Sequence, residues 1–306
     1  MDPLPLWGID LGGTKIEGVV LPDAQSDQPI CRVRIPTEAE HGYAHIVERV
    51  CLMVAMLESE SERKCSILGL GGPGTPDPQT GLMKGCNTTC LNDRPLPTDL
   101  KSALDREVLV ANDANCFSLA EADLGAAKGA TNVFGVILGT GVGGGIVING
   151  RVVSGAQGIA GEWGHNVLEP NGAPCYCGKK GCVETVLSGP ALERYYHGLT
   201  GIKRRLPMII EAARNGEPEA QATLDRLTDK FGEAISVVVD VLDPEVIVVG
   251  GGVGNIDELY KDGVESLRNW VFNPRLDTKV VRPKLGDSAG VFGAAHLTRL
   301  TGRPTY

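Results

Sequence analysis

Residues 7–20, WGIDLGGTKIEGVV, read as an apolar strand, a tight Gly-Gly turn and a second strand, and residues 133–148, VFGVILGTGVGGGIVI, repeat that plan. A hydrophobic run that ends in small residues and resumes as a β-rich run marks a hairpin. Two similar hairpins thus open two halves of the chain. At 306 residues the chain is about twice a typical domain length, so two domains are expected. A third glycine turn, Gly250, Gly251 and Gly252, follows the β-branched run 246–249, which has the character of a buried strand.

The segments around the hairpins fix the fold class as α/β. Apolar residues recur at helical spacing over about 41–60 and 218–242. Segment 65–74, CSILGLGGPG, reads as a short buried strand entering a glycine-proline turn, with Gly72 a candidate substrate contact there. Segment 107–113, EVLVAND, is a strand ending in Asn112 and Asp113. Strands alternating with helices, with polar residues at the strand ends, predict α/β domains whose site lies at those ends. The expected division is a smaller domain of residues 1–113 with a C-terminal helix at about 292–306, and a larger one of 114–291.

Composition narrows the functional classes. With 42% hydrophobic and 22% charged residues, and no apolar run long enough to cross a bilayer, the chain is expected to be globular without a membrane segment. The start, MDPLPLWGID, lacks a basic region followed by an apolar stretch, so a cytoplasmic location is expected. A formal charge of -9 argues against nucleic acid as a partner. Nine cysteines is an odd number, and six of them are scattered through ordinary elements as expected free thiols.

The remaining three thiols are clustered. GEWGH at 161–165 is followed after nine residues by CYCGKKGC at 175–182 and then Val183 and Glu184. His165, Cys175, Cys177 and Cys182 are the ligand set of a closed tetrahedral zinc site, and Gly178 and Gly181 let the chain turn tightly enough for the thiols to converge. Most free cysteines are buried apolar residues, but three within eight positions beside glycine and lysine make a poor core strand. Glu162 and Glu184 are hard oxygen donors outside that set, so the metal reads as structural and the carboxylates as functional.

DLGGTK at 10–15 lacks the spacing of a Walker loop or a dinucleotide fingerprint. Asp10, Gly12, Gly13, Thr14 and Lys15 nevertheless offer glycine N–H groups, a hydroxyl and an ammonium beside a carboxylate, which suits phosphate with a magnesium ion. A plain hairpin turn is the blander alternative. Gly139, Thr140 and Gly141 supply a second such loop, so two glycine hairpins can clamp a polyphosphate, with Gly250, Gly251 and Gly252 at the nucleoside end. Asp113 is the general-base candidate at its strand end, with capping of the following helix as the alternative. Glu162, His165 and Glu184 would surround a ring of hydroxyls, which points to a sugar.

These motifs together resemble the ROK family of sugar kinases in the actin-like, hexokinase-like superfamily. The resemblance spans essentially the whole chain and rests on DLGGTK, NDAN at 112–115, LGTGVGGG, GEWGH, CYCGKKGCVE and VIVVGGG. It implies two actin-like (ribonuclease H-like) domains flanking a central cleft, and ATP-dependent phosphorylation of a hexose on its terminal hydroxymethyl. It implies Asp113 as the base and Asn112, Glu162, His165 and Glu184 as sugar contacts, with one nitrogen of His165 on zinc and the other on sugar. ATP, magnesium and a structural zinc are the implied cofactors, and a homodimer the implied assembly.

The stretch 83–96, MKGCNTTCLNDRPL, is similar to the substrate loop of bacterial fructokinases and mannokinases, with Cys90 where those carry tryptophan. Fructose is therefore the expected sugar, with mannose or glucose, and Asn87 the expected contact from this loop. N-acetylglucosamine kinases and glucokinases of the family share every other motif. A sugar-sensing repressor of the same family is disfavoured because only six residues precede Trp7. A catalytically dead sugar-binding protein is disfavoured by Asp113 and the three glycine loops.

Overall fold

The structure, a computed structural model, describes residues 4–300. Among the described residues the chain divides into two compact units, one of residues 4–129, 145–160 and 284–300, the other of 130–144 and 161–283.

In the first unit, β1 (Leu6–Leu11) and β2 (Lys15–Leu21) form the hairpin read from the sequence. With β3 (Cys31–Pro36), β4 (Ile67–Gly72) and β7 (Glu107–Asn112) they make a five-stranded sheet of order β3-β2-β1-β4-β7. Strands β1, β4 and β7 are parallel, and their register sets Asp10 beside Gly71 and Gly72 beside Asn112. The ends of three strands therefore share one edge, with Asp10 and Asn112 on either side of the glycines that end β4. Helix α1 (Tyr43–Ser61) covers one face by burying Ile46, Val50, Met53, Val54 and Leu57, a stripe at three- and four-residue spacing. These residues share a core with Trp7, Ile9, Leu68 and Leu70. Helix α2 (Leu96–Leu104) adds to that layer, and β5 (Thr75–Pro76) pairs with β6 (Met83–Lys84) in a small separate ribbon.

Helices α3 (Asp113–Asp123) and α9 (Ala289–Leu297) pack on each other, and α9 lies on β1 and β4. Residues 114–122 of α3 and 291–297 of α9 are all buried. That mutual burial places α3 in the first unit, so its main boundary falls after Gly129 and not after Asp113. The C-terminal segment joins from Lys284, and the part of the expected terminal helix at 301–306 lies outside the described residues.

The second sheet has order β10-β9-β8-β11-β12, formed by β8 (Asn132–Leu138), β9 (Val142–Ile148), β10 (Arg151–Val152), β11 (Val246–Gly250) and β12 (Lys279–Val281). This order matches the first sheet strand for strand, a hairpin with an outer antiparallel strand and two further strands parallel to its first member. The chain passes from the second unit to the first within β9, between Gly144 and Gly145. Helices α4 (Val183–Leu187), α5 (Gly189–Thr200), α6 (Leu206–Arg214) and α8 (Asp262–Trp270) pack around α7 (Pro218–Leu242), whose buried stripe includes Ala220, Leu224, Leu227, Phe231 and Ile235. Among the described residues no helix is long and apolar enough to cross a membrane.

Candidate active site and metal centre

In the first unit the turn Gly12–Lys15 closes with the Gly12 N–H donating to the Lys15 carbonyl at 3.0 Å. Thr37, fully buried after β3, braces it twice: its hydroxyl donates to the Gly12 carbonyl at 2.6 Å and its N–H to the Thr14 carbonyl at 3.0 Å. Sequence reasoning missed Thr37, because only the β2–β3 pairing brings it to the turn.

Asp10 and Asp113 are electrostatically coupled at this edge. Burial first, then Asp113 and Glu17, push the Asp10 carboxyl up to about 6, against the opposing pull of Lys15. A partly buried carboxylate raised by other acids is a site that a cation would stabilise. Burial likewise raises Asp113 above the ordinary carboxylate range, although its side chain retains contact with solvent. The Ala114 N–H and the Asn112 side chain oppose that rise. Asn112 is the N-cap of α3, its Oδ1 accepting from the Ala114 N–H at 2.8 Å, and Asp113 Oδ1 accepts from the same N–H at 2.8 Å. The expected base thus shares the capping role with its neighbour.

Gly72 is the buried last residue of β4, opposite Asn112. Asn87 is exposed on the 83–96 loop, while Asn92 staples that loop by accepting from the Cys86 N–H at 2.9 Å and donating to the Cys86 carbonyl at 3.0 Å. Thr88, next to Asn87 in the chain, turns its hydroxyl toward Gly13.

In the second unit, Trp163 anchors GEWGH. It is buried, donates its indole N–H to the Ala234 carbonyl at 3.1 Å, and stands edge-on to Phe134 with ring centroids 6.0 Å apart. Isolated bridges Val167–Cys182 and Pro174–Lys180 then fold the thiol loop back on itself. Gly181 adopts φ 66°, and a Cβ there would meet the Glu169 carbonyl at 1.6 Å, so only glycine fits.

The ligand atoms of His165, Cys175, Cys177 and Cys182 all lie within 4.8 Å of one another. Cys175 Sγ is 3.5 Å from His165 Nδ1 and Cys177 Sγ is 3.6 Å from Cys182 Sγ. With zinc–sulfur bonds of about 2.3 Å, a tetrahedron has sulfur–sulfur edges near ~3.8 Å, so donor set and spacing fit that metal. Burial pushes the Cys182 thiol up to about 12, whereas the Lys179 backbone N–H chiefly holds Cys177 below the usual thiol range.

Nδ1 of His165 faces the sulfurs, and Nε2 lies 2.9 Å from the Tyr176 hydroxyl. Desolvation, then Glu184 and Glu162, raise the Tyr176 phenol to about 12. The structure therefore brings Glu162, His165, Glu184 and Tyr176 into one neighbourhood. Tyr176 was not singled out from sequence, since nothing in CYC shows where its hydroxyl turns. Glu184 has a further partner: its Oε2 accepts from the Val142 N–H at 3.0 Å, immediately after the Gly139, Thr140 and Gly141 turn.

Of the third glycine turn, Gly250 ends β11 buried, Gly251 is held against the Leu138 carbonyl, and Gly252 lines a cavity of about 410 Å³. Leu206, Pro207, Ile210, Arg214 and Asn255 complete much of that wall. Those residues of α6 carry no motif and could be found only by packing.

Comparison with known proteins places these features in context. A profile described as "ROK family" matches residues 6–300. The chain is 36% identical over 301 residues to an N-acetyl-D-glucosamine kinase of Vibrio cholerae, covering 95% of this chain and 98% of that protein. The crystal structure of a ROK hexokinase from Thermus thermophilus matches with a TM-score of 0.87 at 33% identity, covering 96% and 97% of the two chains. A ROK family glucokinase from Streptomyces griseus, in complex with glucose and AMPPNP, matches with a TM-score of 0.75 at 30% identity, covering 97% and 99%. The fructokinase expectation drawn from the 83–96 loop gives way here. A short loop weighs less than likeness over the full chain to an N-acetyl-D-glucosamine kinase.

Proposed function

The chain belongs to the ROK family and is an ATP-dependent sugar kinase, and from that premise we propose that it phosphorylates the 6-hydroxyl of N-acetyl-D-glucosamine with Asp113 as general base. The observation that supports this sugar is the 36% identity over 95% of the chain to an N-acetyl-D-glucosamine kinase.

Each residue has a physical role in this reading. Asp113 accepts the hydroxyl proton late in a loose phosphoryl transfer, for which a carboxylate raised by burial suffices. Asn112 holds that carboxylate in place by hydrogen bonding to it. Asp10 holds magnesium, which when bound neutralises charge on the phosphates. Gly12 and Gly139 close their turns through their own N–H groups, on the Lys15 and Gly141 carbonyls, and leave Gly13, Thr14 and Lys15 of one hairpin and Thr140 and Gly141 of the other to present N–H, hydroxyl and ammonium donors to phosphate oxygens. The cavity beside Gly252 takes the nucleoside, its Leu206 and Ile210 walls suiting a flat base. Glu162, His165 and Glu184 bind sugar hydroxyls, with Gly72 and Asn87 as first-unit contacts.

His165, Cys175, Cys177 and Cys182 hold a structural zinc, which fixes the orientation of the His165 ring. A homodimer and a cytoplasmic location complete the reading, and light scattering tests the former.

Ranking kcat/KM with magnesium-ATP for N-acetylglucosamine, glucose, mannose and fructose is the direct test. N-acetylglucosamine is expected to lead. The Thermus likeness favours a hexokinase as second reading, and a ranking led by glucose would select it. Absence of ADP formation above background with every sugar would sink both.

A further inference from the structure

Tyr176 lies between two of the metal-site thiols, Cys175 and Cys177, and is 83% exposed. Its ring meets His165 edge-on, with centroids 5.1 Å apart and planes at 88°, and its hydroxyl is 2.9 Å from Nε2. Two constraints define that contact. Nδ1 is turned toward the sulfurs, and with Nδ1 given to the proposed metal, Nε2 is the ring nitrogen that carries the proton and donates it. The phenol oxygen is then the acceptor, and the carboxylates of Glu184 and Glu162 lie near enough to act on the phenol electrostatically. One exposed side chain thereby engages the outward nitrogen of His165 and stands beside both acids proposed to hold the sugar.

A ring so exposed has little packing to hold it. The hydroxyl bond to Nε2 and the edge contact are the attachments the structure shows for it, and a single neutral hydrogen bond contributes little net of water. Any sugar hydroxyl that is to pair with His165 must take the place of this phenol.

Resting on the sugar-kinase reading above, we infer that Tyr176 is a substrate-displaced cap: its hydroxyl occupies Nε2 of His165 in the sugar-free protein and yields that nitrogen to a sugar hydroxyl on binding. The cap lowers apparent affinity by the strength of the bond that is broken, and it shields the imidazole from other acceptors while the site is empty. Tyr176 is a positioning residue that acts through His165, with no part in proton or phosphoryl transfer.

Removing the phenol oxygen alone, in Tyr176→Phe, keeps the ring and deletes the competitor. Calorimetric titration of the metal-loaded protein with N-acetylglucosamine and with glucose should show binding tightened roughly three- to tenfold, with KM lowered to match and kcat unchanged. Tyr176→Ala should tighten binding at least as much, and metal content by atomic absorption should equal the wild type in both. Unchanged or weaker binding in both metal-replete variants overturns the cap and makes Tyr176 a bystander or a direct sugar contact. If the Phe variant loses metal, the Ala variant and a fluorotyrosine probe at 176 decide, since the probe's resonance in the otherwise native protein must shift on sugar binding and a static signal refutes displacement. Failure of the wild type to bind any sugar would instead strike at the kinase reading itself.

Discussion

The two glycine hairpins share a sequence plan and a place in matching sheets, yet they are equipped differently. The first turn brings its own ionisable groups, Asp10 and Lys15, and is braced by Thr37 from the adjoining strand. The second has no charged residue between Leu138 and Val142, and a carboxylate reaches it from α4, where Glu184 accepts the Val142 N–H. Repeating a hairpin repeats its N–H donors, while the charge around each turn is set by what packs on it. The first turn is suited to a cation beside phosphate. The second ties its backbone to the wall of acids around His165.

The sharpest way to break this contrast is at the strand edge shared with the first turn. Asp113→Asn should lower kcat by roughly 10²- to 10⁴-fold while leaving sugar affinity by calorimetry nearly unchanged. Near-normal turnover in a coupled ADP assay would remove Asp113 from the role of base.

Next in size is the pH dependence of Asp10, whose carboxyl sits at about 6 chiefly through burial. Because bound magnesium would favour the ionised form, kcat/KM, which reports the free enzyme, is the quantity that should fall about tenfold per pH unit below that value, and this acid limb should vanish from the residual activity of Asp10→Asn. Stability should run the other way. A carboxyl raised from 3.8 to about 6 by folding binds more protons in the native state across that window, so its contribution is present at low pH and lost as pH rises through about 6. Thermal melts of the magnesium-free protein from pH 4 to 7 would show the sign.

The support behind the second turn can be removed by Cys177→Ala, which should abolish metal binding and lower Tm by several degrees, because a metal bound only by the folded chain stabilises that chain. Equal metal content by atomic absorption would refute the site.

The smallest effect separates two glycines of one turn. A Cβ at Gly141 would meet Glu184 Oε2 at 2.7 Å, whereas one at Gly139 meets nothing within 4 Å. Gly141→Ala should displace the carboxylate and raise sugar KM on the order of tenfold, the cost of a hydrogen bond to a charged group, with Gly139→Ala close to wild type. Equal effects would mean that Glu184 does not couple the turn to the sugar site.

Much of the fold was legible because its signals are local. Apolar runs around glycine-rich turns define β1, β2, β8 and β9, and helical periodicity places α1 and α7 within about two residues of their observed bounds. The Cys-His cluster was legible for the same reason, since three of its four residues lie within eight positions and the glycines between them allow only a tight turn. The boundary after Asp113 was not, because α3 looks like the start of a new segment until its burial against α9 is known.

The sequence by itself determined the α/β alternation, the two hairpins, the Cys-His donor set and Asp113 at a strand end. These follow from backbone periodicity, turn chemistry and ligand type, all properties of short stretches of chain. Only the tertiary structure decided that Thr37 braces one turn, that Glu184 reaches the other, that Tyr176 covers Nε2 of His165, and that α6 walls the cavity at Gly252. Each of these depends on the direction a side chain takes once its element has packed, and packing brings together residues that no local pattern relates.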